Sequence, residues 1–150
     1  GGWWVEDMIY GRWTLTETAE NIFKAVEKYK PICVGIEKGL AQQAVMSPLN
    51  DVMRRTHRLF RIDLLTHGNQ KKQDRILWAL QGRLEHEKIK FKKANWNMVL
   101  VDEAAAFPST LVHDDLLDAL AYVDQLAIVP YGSDLDYQDD YKPMDMIAGY

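Results

Sequence analysis

The sequence predicts an α/β domain with at least one pair of parallel strands. Short runs of aromatic and branched residues, typical of strands, alternate with longer segments whose apolar residues recur at helical spacing. The chain has 150 residues, 47% of them hydrophobic, which is enough for one core of ordinary size. We therefore expect one domain over residues 1–130 and an acidic tail over residues 131–150.

The first strand and the first helix are marked by composition and by a capping signal. Residues 3–10 are rich in aromatic and branched side chains and end at Gly11, which predicts a strand. Thr14 and Glu17 have the spacing of a capping box, and the helical apolar pattern that follows continues until Pro31 stops it. A helix therefore follows the strand.

A second strand and helix come next. Residues 32–36 form a continuous apolar run, which predicts a strand covered on both faces, with Glu37 at its carboxyl end. Residues 40–58 have a helical composition, and Pro48 is expected to kink this helix or to split it at Ser47.

The second half of the chain continues the alternation. Residues 60–65 predict a strand, and residues 71–84, which carry one apolar face, predict a helix. The alternating pattern of residues 89–91 predicts a short strand. Residues 96–107 and 114–128 predict the last two helices, and the apolar stripe of the final helix is the clearest in the sequence.

Charge is distributed unevenly along the chain, whose net charge is −4. Residues 54–93 hold 12 of the 18 lysines and arginines but only four acidic residues. A basic middle between acidic ends favours a polyanionic partner despite the net charge.

Composition also argues against several classes of protein. The single cysteine, Cys33, lies in an apolar run, which suits a reducing compartment. Ligand pairs at zinc-site spacing, a phosphate-binding loop of the ATPase type and an apolar run of membrane-spanning length are all missing from the sequence. We expect a protein without a membrane segment.

Several carboxylates are placed where they could bind metal ions. Hydrolysis of a phosphodiester with two Mg²⁺ or Mn²⁺ ions needs converging carboxylates, because these cations prefer oxygen ligands. Glu37 follows an apolar strand, although it could equally be an exposed loop acid. Asp114, Asp115 and Asp118 begin the last helix, where Asp114 is also well placed as the N-cap.

Helix geometry ranks these three aspartates. With 100° per residue, the apolar stripe of this helix centres roughly 110° from Asp115, about 150° from Asp114 and about 170° from Asp118. Asp115 is therefore nearest the core margin and ranks first. Asp118 ranks second, because it lies one turn further and could share a metal with Asp115, and Asp114 ranks third.

Three basic residues are candidates for contact with DNA. Lys71 and Lys72 follow a glycine-containing loop that could lie over phosphates, and Arg75 is included with them. The lysines of residues 88–93 are equally consistent with the solvated face of an edge strand.

Taken together, three segments resemble the nuclease domain of phage large terminase subunits in order and approximate spacing. They are Val34-Gly35-Ile36-Glu37-Lys38, Phe107-Pro108, and the run from His113 to Tyr122 that contains the three aspartates. Gly11-Arg12-Trp13 and the helix from Arg75 to Leu84 are also similar, so the likeness covers residues 4–126.

The resemblance implies a ribonuclease H-like mixed sheet flanked by helices. It implies an endonuclease that cuts concatemeric DNA with two Mg²⁺ or Mn²⁺ ions, where Glu37 matches the second catalytic acid and the Asp114/Asp115 pair the last. The implied partners are double-stranded DNA, an N-terminal packaging ATPase domain, the portal and the small terminase subunit, in the host bacterial cytoplasm. The family's first catalytic aspartate lies on a central first strand upstream of residue 3, so we expect that strand to be missing here.

Two other functions stay open. One is a non-catalytic module that grips DNA or docks within a packaging motor. The other is a nuclease similar to Holliday-junction resolvases, whose last acidic pair has the spacing of Asp115 and Asp118.

Overall fold

The computed structural model describes residues 2–109 and 113–127 of the chain. These residues form an α/β arrangement in which four short strands alternate with the first four of five helices. The strands are β1 (Trp3–Val5), β2 (Val34–Glu37), β3 (Ile62–Leu65) and β4 (Ile89–Phe91). The helices are α1 (Leu15–Tyr29), α2 (Leu40–Thr56), α3 (Lys72–Glu85), α4 (Trp96–Ala106) and α5 (Asp115–Leu126). Within these residues, no helix combines the length and the apolar character needed to cross a membrane.

The strands form two separate parallel pairs. In one pair β1 lies beside β4, with Trp3 opposite Ile89, and in the other β2 lies beside β3, with Glu37 opposite Leu65. The predicted parallel pairing is thus confirmed. In place of one continuous sheet, the described strands form these two pairs, and no strand in residues 2–109 or 113–127 joins them.

Two groups of buried side chains accompany the two strand pairs. The larger core joins α3, β4, α4 and α5, and includes the buried Leu80 and Leu120. The smaller core lies between α1 and α2 and is centred on the fully buried Leu49. Helix α5 also contacts β2 at Gly35, where a Cβ atom would lie 2.6 Å from the Leu65 side chain and 2.8 Å from that of Leu126. Glycine at this position therefore lets α5 approach the strand that ends in Glu37.

The start of α1 confirms the predicted capping box. The Glu17 backbone N–H donates to the Thr14 hydroxyl oxygen at 3.1 Å, and the Thr14 N–H donates to the Glu17 carboxylate at 2.8 Å. The helix ends before Lys30, which adopts a left-handed conformation with φ of 46° ahead of Pro31.

Three predictions of element length were wrong. Strand β1 ends at Val5 and not at residue 10, because its partner β4 pairs with only three residues. Ile32 lies outside β2 and is 84% exposed. Helix α2 continues through Pro48, so the predicted split at Ser47 is wrong, whereas the predicted kink stays a prediction; the buried Val45 and Leu49 on either side pack into the core. Residues 128–150, which include the predicted end of the last helix and the predicted tail, lie outside the described residues.

Candidate active site

A cavity of about 340 Å³ lies at the carboxyl end of the β2–β3 pair, beside α5. Its lining includes Glu37, the last residue of β2, and Asp115 and Asp118 from the first turn of α5. Two elements distant in sequence therefore bring three carboxylates to one cavity. The third aspartate of the cluster, Asp114, does not line it.

The first turn of α5 is fixed by a buried glutamate from α4. Glu103 is 7% exposed, and its Oε1 accepts hydrogen bonds from the backbone N–H groups of Leu116 at 2.9 Å and Leu117 at 3.0 Å. Burial raises the pKa of Glu103 above its ordinary value, although these two hydrogen bonds act in the opposite direction. The side chain of Glu103 thus does what a capping residue usually does at a helix start.

Asp114 occupies the N-cap position of α5, as predicted, but its side chain makes no capping hydrogen bond. Its Oδ1 lies 2.7 Å from the Lys72 ammonium nitrogen, which is also 3.6 Å from Oδ2 of Asp118. Burial alone would lower the pKa of Lys72, but the neighbouring carboxylates raise it above its ordinary value. A lysine ammonium therefore lies between two of the three aspartates.

Asp118 and Asp115 have different surroundings. The Oδ1 of Asp118 lies 2.5 Å from Nη2 of Arg75, a side chain that is itself 8% exposed. Asp115 is exposed, lines the cavity, and has no hydrogen-bond or ion-pair partner for its side chain among the described residues.

Tyr122 connects Glu37 to this group. Its hydroxyl donates a hydrogen bond of 2.9 Å to Oε2 of Glu37, and its ring lies 4.1 Å from the guanidinium carbon of Arg75. Burial, with the hydrogen bond to Glu37 as the next cause, raises the pKa of Tyr122 to about 12. The phenol therefore stays a donor at neutral pH.

The three predicted DNA contacts are placed differently. Lys71 is exposed at the start of α3, and Lys72 is 45% exposed beside the aspartates. Arg75 is buried, with its guanidinium between Asp118 and Tyr122, so a direct contact between Arg75 and DNA is not available in this arrangement. The prediction failed there because helix position, and not residue type, decides which way the side chain faces.

The lysines of β4 follow the alternation that the sequence indicated. Ile89 is buried and Lys90 is exposed, while Lys92, just after the strand, pairs with Glu6 at 2.9 Å. None of these residues lines the cavity.

The type of ligand at the cavity suits Mg²⁺ or Mn²⁺, because all three charged groups that line it offer carboxylate oxygens. The described residues nevertheless contain no group of three histidine, cysteine, aspartate or glutamate side chains close enough to hold one ion. The carboxylate ligands are therefore of the type that Mg²⁺ or Mn²⁺ prefers, but no three of the described side chains lie close enough together to bind one ion.

Sequence reasoning missed two residues of this site. Tyr122 lies one turn beyond Asp118 on α5, so helical spacing could have placed both on one face. Glu103 is an acid within the largely apolar sequence of α4, which is a signal for a buried and partnered carboxylate.

The α/β arrangement, with an acid at the end of a parallel strand and two acids of the last helix lining one cavity, agrees with a ribonuclease H-like domain. The family model of the terminase RNaseH-like domain matches residues 1–124, and the chain belongs to this family. Comparison with curated proteins and with solved structures gave no match.

Proposed function

We propose that this domain is a metal-dependent endonuclease that cuts concatemeric phage DNA during packaging. Membership of the terminase RNaseH-like family supports a nuclease-type terminase domain. The observation that supports metal-dependent cutting is that Glu37 lines one cavity with Asp115 and Asp118, although it is far from them in the sequence.

In this proposal Glu37 and Asp115 hold the metal, together with Asp118. A bound pair of Mg²⁺ or Mn²⁺ ions would activate water and stabilise the leaving oxygen of the phosphodiester. Asp114 is the weakest candidate, because it lies outside the cavity and pairs with Lys72.

Lys71 and Lys72 are the proposed contacts to DNA phosphates. Both lie at the start of α3 with exposed side chains, and Lys72 lies beside Asp114 and Asp118. Contacts of this kind give affinity with little sequence preference. The proposed partners are double-stranded DNA, a packaging ATPase domain, the portal and the small terminase subunit, and the proposed location is the host bacterial cytoplasm.

Plasmid cutting tests the assignment. We expect Glu37→Gln and Asp115→Asn each to abolish Mn²⁺-dependent conversion of supercoiled plasmid to open and linear forms. Asp102→Asn, which removes an exposed carboxylate of α4 outside the cavity, is the matched control and should cut like the unmodified protein.

Circular dichroism and thermal unfolding would establish that each variant keeps its fold. Full cutting by both the Glu37→Gln and the Asp115→Asn proteins would refute the assignment.

A DNA-gripping module without catalysis is the second candidate. Two observations favour it: no three metal-binding side chains lie together among the described residues, and Lys72 lies between Asp114 and Asp118. DNA binding with no Mn²⁺ binding in calorimetric titration of the full-length gene product would favour this alternative.

A further inference from the structure

We propose that Tyr122 and Arg75 are positioning residues that tie Glu37 to Asp118 and so set the relative placement of two acids of the cavity. The proposal deepens the proposed function and rests on it. Neither residue is assigned contact with metal or DNA.

The first step is the bond between Tyr122 and Glu37. Glu37 is exposed at the end of β2, where a long side chain has many accessible rotamers. Tyr122 is 6% exposed, and its hydroxyl donates to Oε2 of Glu37 at 2.9 Å. The buried phenol therefore fixes one oxygen of an exposed carboxylate, while Oε1 keeps no hydrogen-bond partner among the described residues and is free to bind a cation.

The second step is the guanidinium of Arg75. It stacks on the Tyr122 ring at 4.1 Å and contacts Oδ1 of Asp118 through Nη2. The planar guanidinium can contact a ring face and a carboxylate at once, which a lysine ammonium cannot do in the same way. One buried side chain from α3 thus holds both the tyrosine and the aspartate.

The arrangement leaves two buried nitrogen atoms of Arg75 without hydrogen bonds to the described residues. Nε and Nη1 of Arg75 are buried and have no hydrogen-bond partner in the described part of the chain. Unsatisfied buried donors destabilise a fold. A buried ion pair is often no more stabilising than well-packed hydrophobic side chains of similar volume. Stability alone therefore does not explain an arginine at this position, whereas the need to orient Asp118 and Tyr122 does.

Asp118 and Tyr122 share one side of α5. Asp118 and Tyr122 lie one turn apart on α5, so both can face the strand that ends in Glu37. The four side chains form a continuous path from β2 through α5 to α3. Removal of a group that orients a metal-binding residue without contacting the metal typically lowers metal affinity by about 10-fold to 100-fold.

The test measures Mn²⁺ affinity by calorimetry in the full-length gene product. We expect Tyr122→Phe, which keeps the ring for Arg75 and deletes only the hydroxyl, to weaken Mn²⁺ binding by about 10-fold. Tyr29→Phe is the matched control, because the Tyr29 hydroxyl donates to the Asp7 carboxylate at 2.6 Å outside the cavity. Removal of that bond should leave Mn²⁺ affinity unchanged.

Double substitutions separate positioning from a general loss of structure. In the Glu37→Gln background, Tyr122→Phe should cause no further loss of Mn²⁺ affinity, because its partner is already altered. Arg75→Lys should also weaken Mn²⁺ binding, and it should do so in the Tyr122→Phe protein as well, because it changes the contact with Asp118 whereas the hydroxyl acts on Glu37. An equal Mn²⁺ affinity for the Tyr122→Phe and unmodified proteins would overturn the inference, even when Glu37→Gln weakens binding and the proposed function stands. Mn²⁺ binding that is absent, or insensitive to Glu37→Gln, would overturn the proposed function and this inference with it.

Discussion

The carboxylates in and beside the cavity differ in the hydrogen-bond and ion-pair partners that they already have. Tyr122 bonds one oxygen of Glu37, while Asp118 is paired with a buried arginine. Asp114 is paired with Lys72, whereas Asp115 has no side-chain partner among the described residues. Asp115 therefore gives up the fewest interactions on binding a cation, and it is the acid that helix geometry ranked first.

Lys72 is expected to compete with a divalent cation for the aspartates. Its ammonium lies 2.7 Å from Asp114 and 3.6 Å from Asp118. We predict that Lys72→Ala raises Mn²⁺ affinity by up to about fivefold, since partly exposed ion pairs are worth at most about 1 kcal/mol. Isothermal titration calorimetry would check this, and unchanged or weaker Mn²⁺ binding would contradict it.

Lys71 provides a contrast, because it precedes Lys72 and has no ion-pair partner within residues 2–109 and 113–127. We predict that Lys71→Ala leaves Mn²⁺ affinity unchanged and reduces the salt dependence of DNA binding, with the slope falling by about 1. Fluorescence anisotropy with duplex DNA over a series of salt concentrations measures that slope. A slope equal to that of the unmodified protein would remove Lys71 from the proposed DNA contacts.

Among the elements, α5 is the one whose placement decides the geometry of the cavity. Glu103 caps its first turn, and near its end the Gln125 side chain donates to the Thr66 carbonyl at 2.7 Å and accepts from the Thr66 N–H at 3.3 Å. Gly35 allows α5 to pack closely against β2. The helix is thus held at its first turn by the preceding helix α4 and near its end by the backbone just after β3.

We predict that Glu103→Ala destabilises the domain by about 0.5 to 2 kcal/mol, the range measured for loss of an N-terminal cap. Two backbone N–H groups of α5 would lose their acceptor. Glu103→Gln is the matched control, because its amide oxygen can still accept and the loss should be smaller. Urea unfolding monitored by circular dichroism gives both values, and equal losses for the two variants would contradict a capping role.

The same glutamate predicts a pH dependence. Burial raises the pKa of Glu103 in the folded state above the ordinary value of 4.5. The folded protein therefore binds this proton more tightly than the unfolded chain, so its contribution to stability falls as pH rises from about 4.5 through the raised pKa. Relative to Glu103→Gln, the unmodified protein should lose stability over that window. If the unmodified protein instead gained stability relative to Glu103→Gln as the pH rises, the folded state would favour the charged form of the Glu103 carboxylate.

For the molecule as a whole, sequence predicted features set by near neighbours and missed those set by distant ones. The Thr14 capping box and the strand that delivers Glu37 depend on adjacent residues, and both are found in the structure. The length of β1 depends on a partner strand more than 80 residues away, so the sequence could not fix where it ends. The contacts of Glu103 and Arg75 likewise depend on how α3, α4 and α5 pack, which no local pattern reveals.

The two core groups predict that the domain has two regions that open separately. No described strand connects β1 to β2, and Leu49 and Leu120 belong to different cores. Truncation of either to alanine should destabilise its own core by roughly 2 to 5 kcal/mol. Native-state hydrogen exchange should then show faster exchange in α1 and α2 for Leu49→Ala, and in α3 and α5 for Leu120→Ala. A uniform increase across all five helices in both variants would instead establish one cooperative unit, and would mean that the few contacts between α5 and the β2–β3 pair suffice to couple the cores.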